Sequence, residues 1–119
     1  MKKVLFIEDD LLTNKAYADK FSKEYEILTA LNGIDGVSSA IRMHPNLIIL
    51  DIMLGGELNG FDVLRELKLN SESAKIPVIV LTNLEKQEES AKAAGAAACF
   101  IKANISLDTV GEEIKKYIS

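Results

Sequence analysis

Apolar residues along the chain fall into five short runs: Val4–Ile7, Tyr25–Ala30, Leu47–Leu50, Val78–Leu81 and Cys99–Ile101. Several are rich in Val and Ile without polar interruption, the pattern of strands buried on both faces. Between them, apolar positions recur every three or four residues, the period of a helix with one buried face. Leu12, Ala16, Tyr17 and Phe21 share one such face, as do Ile34, Val37 and Ile41, and Phe61, Leu64 and Leu67. The last segment is the clearest, with Leu107, Val110, Ile114, Tyr117 and Ile118 in phase and Ser106 before it as an N-cap. A fourth helix is expected at about Lys86–Ala94, where Glu85, Glu88 and Glu89 suit its first turn by the helix dipole. Pro45, Pro77 and the glycines at 33, 55, 56, 60 and 95 fall in or beside turns. Five strands alternating with five helices predict a parallel sheet covered on both faces, with right-handed crossovers.

Composition narrows the class. A chain of 119 residues, 48% apolar and 27% charged, is ordinary for one globular domain, expected here over residues 1–119. The net charge of −4 argues against a nucleic-acid-binding face. One cysteine excludes an intrachain disulfide and a multi-cysteine zinc site. The apolar run after Met1-Lys2-Lys3 is too short for a signal peptide, and the longest, Ala93–Ile101, is too short to span a bilayer. A cytoplasmic domain with no membrane contact is the expectation.

Candidate chemistry sits where the strands end. In an open α/β sheet, ligands bind beyond the carboxyl ends of the strands. The first run leads into Glu8-Asp9-Asp10, the third into Asp51, the fourth into Thr82-Asn83 and the fifth into Lys102. A strand order of 2-1-3-4-5 would bring these ends together. Glu8, Asp9 and Asp51 with one ammonium would leave a local charge near −2, which a divalent cation relieves. All-oxygen ligands suit Mg²⁺. A carboxylate can also attack phosphorus to give an aspartyl phosphate, with the metal, a lysine and a hydroxyl neutralising the phosphoryl oxygens. Taken singly, each residue has a plainer reading as turn, β-former, solvated lysine or helix cap. Four such residues at four strand ends are harder to explain by accident.

With these residues assembled, the chain resembles the receiver domains of two-component response regulators over essentially its whole length. The motifs are Val4–Asp10, Leu47–Leu54, Gly60-Phe61-Asp62-Val63-Leu64, Ile76–Thr82 and Ala94-Gly95-Ala96 leading to Lys102. The resemblance implies a flavodoxin-like, doubly wound five-stranded sheet of order 2-1-3-4-5 with five helices. It implies that Asp51 accepts a phosphoryl group from a histidine kinase or phosphotransfer protein. Mg²⁺ would be held by Glu8, Asp9, Asp51 and the main-chain carbonyl of Met53, with Asp10 outside that set. Thr82 would bond the phosphoryl group and reposition, and Lys102 would form an ion pair with it. A downstream protein would read the change on the face of the fourth helix, fifth strand and fifth helix. Pairing with a second copy stays open.

Three departures from the family pattern stand out. Cys99 occupies the place of the usual switch aromatic, three residues before the lysine, with Phe100 pointing to the opposite face. Ala103 follows Lys102 where the family usually has a cis-proline. The loop Leu54–Gly60 carries the pair Gly55-Gly56 and one extra residue. Met53 and Leu84 are apolar near the phosphoryl site, so water should be poorly oriented there and the phosphoryl group long-lived. The alternative is a degenerate receiver that binds a partner without phosphorylation. An enzyme on the same fold is disfavoured: there is no phosphate-cradling loop after the first strand, and no second Asp two residues beyond Asp51. His44 reads as surface and Tyr117 as a packing residue.

Overall fold

The computed structural model describes residues 1–83 and 86–118, so Leu84 and Glu85 lie outside the described residues. Strands β1 (Lys3–Ile7), β2 (Glu26–Ala30), β3 (Leu47–Asp51), β4 (Val78–Thr82) and β5 (Ala98–Ile101) alternate with helices α1 (Leu11–Phe21), α2 (Gly33–Met43), α3 (Gly60–Leu69), α4 (Glu88–Ala93) and α5 (Leu107–Ile118). All pairings are parallel and the order is β2-β1-β3-β4-β5, as expected. A single 3₁₀ turn, Lys102–Asn104, follows β5.

Alternation along the unbroken apolar strands builds two cores. Leu5, Ile7, Ile48, Leu50, Val78 and Val80 face one side, against Ala40 of α2, Val63, Leu64 and Leu67 of α3, and Ala91 of α4. Val4, Phe6, Leu47, Ile49, Ile79 and Leu81 face the other, against Tyr17 and Phe21 of α1 and Val110, Ile114 and Ile118 of α5. Phe6 stacks on Tyr17 with ring centroids 4.4 Å apart. The central strands are buried on both faces. The edge strands β2 and β5 are only partly so, because each lacks a neighbour on one side.

Three helical faces need correction in detail. On α1 the inward residues are Asn14, Tyr17 and Phe21, while Ala16 is exposed and Leu12 is 76% exposed. Asn14 takes the inward place because its amide donates to the carbonyls of Glu8 (2.7 Å) and Ala30 (3.3 Å). On α2 the closest residues are Gly33, Gly36 and Ala40, and Ile34 is exposed. A Cβ on Gly36 would stand 2.6 Å from Ile7 Cδ1, so small residues let this helix approach β1 and displace the larger ones sideways. On α5, Leu107 and Tyr117 are exposed rather than packed. Ser106 caps α5 as expected, its hydroxyl accepting from the Thr109 amide at 3.1 Å.

Candidate functional site

The run Glu8-Asp9-Asp10 divides its labour. β1 ends at Ile7, and the Glu8 amide still pairs with Ala30 of β2, so Glu8 is carried inward and only 2% exposed. Asp10 turns away to cap α1, accepting from the Thr13 amide at 3.3 Å. Asp9 stays exposed at the rim. Asp51 closes β3 at 6% exposure. Carboxylate oxygens of Glu8, Asp9 and Asp51 lie within 4.8 Å of one another.

Lys102, delivered by the 3₁₀ turn after β5, reaches back over this group. Its ammonium donates to Asp51 Oδ2 at 3.0 Å and to Glu8 Oε1. The other carboxylate oxygens find backbone donors: Asp10 N to Glu8 Oε2 at 3.0 Å, Met53 N to Asp51 Oδ1 at 3.0 Å, and Gly55 N to Asp9 Oδ2 at 3.4 Å. The loop after β3 is thus laced to both acidic strand ends. Ile52 and Leu54 anchor it in the core, leaving the Met53 side chain half exposed between them. Gly60 closes it: a Cβ there would sit 2.2 Å from Ile52 Cα, so only glycine lets α3 begin against the loop.

Burial pushes the Glu8 carboxyl up to about 7, against the lowering pull of the Lys102 ammonium and the Asp10 amide. The nearby Asp51 charge adds to the rise. For Lys102, burial alone would lower the ammonium, but the two carboxylates outweigh it and hold Lys102 above its ordinary value. Lys102 is therefore a fixed cation, and Glu8 is poised to gain or lose its proton near neutrality.

Thr82 ends β4, 1% exposed, and its hydroxyl donates to Gln87 Oε1 at 3.1 Å. Gln87 lines an open cleft of about 450 Å³ together with Asp9, Met53, Gly55 and Asn59. The sequence reading missed Gln87 because nothing in local spacing ties it to Thr82. It also missed Asn14, although a lone polar residue on the inward face of a helix is a readable signal.

Cys99 is half-buried on the α2–α3–α4 side of the sheet with its thiol pushed up by burial, and Phe100 lies on the opposite side. In the β4–β5 register Cys99 sits beside Val80, and Thr82 beside Ile101. The Lys102–Ala103 peptide is trans. His44 is exposed and ends α2 in the left-handed region. The reading of Leu84 as an apolar neighbour of the site, and of Glu85 in the first turn of α4, lies outside the described residues.

Comparison with known proteins settles the family. The model of the response regulator receiver domain matches residues 4–112. The chain belongs to the response regulator receiver domain family. The polar-differentiation response regulator DivK of Brucella ovis is 33% identical over 119 residues, covering 98% of this chain and 96% of that protein. A response regulator from Desulfuromonas acetoxidans superposes with a TM-score of 0.85 at 25% identity, over 98% of this chain and 95% of that one. The receiver domain of the sensor histidine kinase PA1611 from Pseudomonas aeruginosa, solved with a magnesium ion coordinated in its active-site cleft, gives 0.83 at 23% identity, over 98% and 97%. The receiver's role is that of a phosphoacceptor switch in two-component signalling. Receiver domains bind Mg²⁺ in an acidic pocket and exchange signals with kinases or phosphotransfer proteins and with downstream targets. They act as signalling switches and not as enzymes in the usual sense. Among the described residues, no helix is long and apolar enough to cross a membrane.

Proposed function

We propose that Asp51 is the phosphoacceptor of a single receiver domain spanning residues 1–119, with Lys102 and Thr82 as its switch residues. The observation that carries this reading is the Lys102 ammonium held between Asp51 and Glu8 while Asp9 lies within 4.8 Å. Three clustered carboxylates are hard oxygen donors with one cation among them, a set that fits a small divalent ion. Glu8, Asp9, Asp51 and the Met53 carbonyl would hold Mg²⁺. When bound, the ion neutralises phosphoryl oxygens and favours the ionised form of Glu8.

An Asp51 carboxylate oxygen forms the new P–O bond while the donor's bond to phosphorus breaks and its electron pair leaves with the donor. Lys102 exchanges a carboxylate oxygen for a phosphoryl oxygen, and the Thr82 hydroxyl donates to another. The added charge and acceptor oxygens then bias an equilibrium between two conformations. The partners on this reading are a histidine kinase or phosphotransfer protein, and a target on the α4–β5–α5 face, in the cytoplasm and without nucleic acid. Any chemistry is confined to the receiver's own Asp51. The phosphorylation-independent module is not favoured, because the acceptor, the acidic pair and the lysine are all present and in contact.

Intact mass after incubation with acetyl phosphate and Mg²⁺ tests this. One added phosphoryl group, absent without Mg²⁺ and absent in Asp51→Asn, is expected. Equal addition to Asp51→Asn would overturn the assignment of the acceptor.

A further inference from the structure

Four of the five helices are capped in the same way. Asp10, Asn32, Asn59 and Ser106 each accept from the amide three residues on, at 3.3, 2.8, 2.9 and 3.1 Å. These are short side chains suited to that reach. Gln87 stands at the same place before α4, yet makes no side-chain cap bond. Its carboxamide oxygen instead takes the Thr82 hydroxyl at 3.1 Å. Lys86, immediately before it, has φ 67, a left-handed conformation that a residue with a Cβ seldom adopts and that persists only where surrounding contacts hold it. The helix that follows has six residues and buries only Ala91.

A threonine hydroxyl has one proton to give. In this structure Thr82 gives it to Gln87. Phosphoryl oxygens are acceptors, so a bond from Thr82 to the phosphoryl group needs that same proton. The two bonds exclude each other. Gln87 also borders the cleft shared with Asp9 and Met53, beside the place where the phosphoryl group would arrive.

We propose that Gln87 is a positioning residue that restrains the Thr82 hydroxyl in the resting receiver and couples its release to the start of α4. The proposal rests on Thr82 being the phosphoryl-bonding hydroxyl. Phosphorylation draws the proton away, Gln87 loses its partner, and the turn at Lys86 is free to relax. The backbone leading into α4, the least buried helix on the output side, then changes course. Gln87 thereby supplies a link from the acceptor to the surface that does not pass through the position of Cys99.

The test is the affinity for beryllium fluoride, a phosphoryl mimic, in Mg²⁺, measured on the intact chain. Gln87→Met keeps the length and loses the acceptor. It should bind the mimic about fivefold more tightly, the ratio that one neutral hydrogen bond is worth. General damage to the fold would weaken binding instead, so the sign separates positioning from structure. Gln87→Glu keeps an acceptor and should bind more weakly than wild type. In a Thr82→Val background, Gln87→Met should change nothing. Amide exchange over residues 88–93 should rise with the mimic in wild type and be raised already in free Gln87→Met. Unchanged or weaker binding by Gln87→Met, or the same gain in the Thr82→Val background, overturns the proposal while leaving Thr82 its role. A Thr82→Val variant that binds the mimic as wild type does overturns the reading of Thr82 and the proposal with it.

Discussion

Where β1 and β3 end, Glu8 and Asp51 share the Lys102 ammonium and take backbone amides from Asp10 and Met53. Where β4 and β5 end, Thr82 meets a neutral carboxamide, the aromatic position holds a half-buried thiol, and a trans peptide leads out of Lys102. Charge-assisted hydrogen bonds are roughly twice as strong as neutral ones. The acceptor half of the edge is therefore the fixed half, built before any phosphoryl group arrives. The other half is held weakly enough to respond. The acidic group and the departures at Cys99 and Ala103 do not conflict, because those two departures sit in the second half.

The sharpest way to break this contrast is Lys102→Met. It leaves two buried carboxylates facing each other without their cation, and breaking a buried pair costs about 3 kcal/mol. Urea unfolding in EDTA at pH 8 should show a loss of that order. Added Mg²⁺ should recover much of it, since the ion replaces the missing positive charge. A loss no larger than that of Gln87→Met would mean that the acceptor half is not the more firmly bonded one.

A second, smaller effect sharpens the same half. The folded state raises Glu8 from 4.5 to about 7, so between those values the folded chain holds a proton that the unfolded chain has released. Stability from this group is full below pH 4.5 and is lost as pH rises through about 7. Unfolding in EDTA across pH 5 to 8 should show a downward slope that Glu8→Gln lacks. Mg²⁺ competes with that proton, so its affinity should rise over the same window. A slope shared equally by Glu8→Gln would assign the titration elsewhere.

The strand-end residues of both halves were the legible part. Glu8, Asp9, Asp51, Thr82 and Lys102 each follow an unbroken apolar run, and a parallel sheet leaves the residue after such a run at its carboxyl edge. Strand order then does the gathering. The helical faces were less legible because size does not decide which residue turns inward. Gly36 takes the inward place on α2 because β1 passes too close for a Cβ, and Asn14 takes it on α1 because two strand-end carbonyls need its amide hydrogens. Gln87 was not legible at all. Its partner is chosen by the path between β4 and α4, and no periodicity records that path. The same limit hid the bond from Gly55 to Asp9, since a backbone amide leaves no mark in side-chain pattern.

The smallest expected effect concerns water at the boundary between the two halves. Ile52 and Leu54 are buried, which turns the Met53 side chain outward into the cleft it shares with Asp9 and Gln87. A thioether is a weak acceptor and offers water little to hold it in line with the aspartyl phosphate. Met53→Asn places an amide there that can donate and accept. One ordered hydrogen bond to the attacking water is worth a factor of about three in rate. Phosphoryl decay in Mg²⁺, followed by loss of the added mass, should therefore be faster in Met53→Asn by about that factor. Addition of the phosphoryl group should change little, because on the proposed reading Mg²⁺ would take the Met53 carbonyl and not its side chain. Decay as fast in wild type as in the variant would show that Met53 does not control the water. The lifetime would then be set by the other half of the edge, through Thr82 and its carboxamide partner.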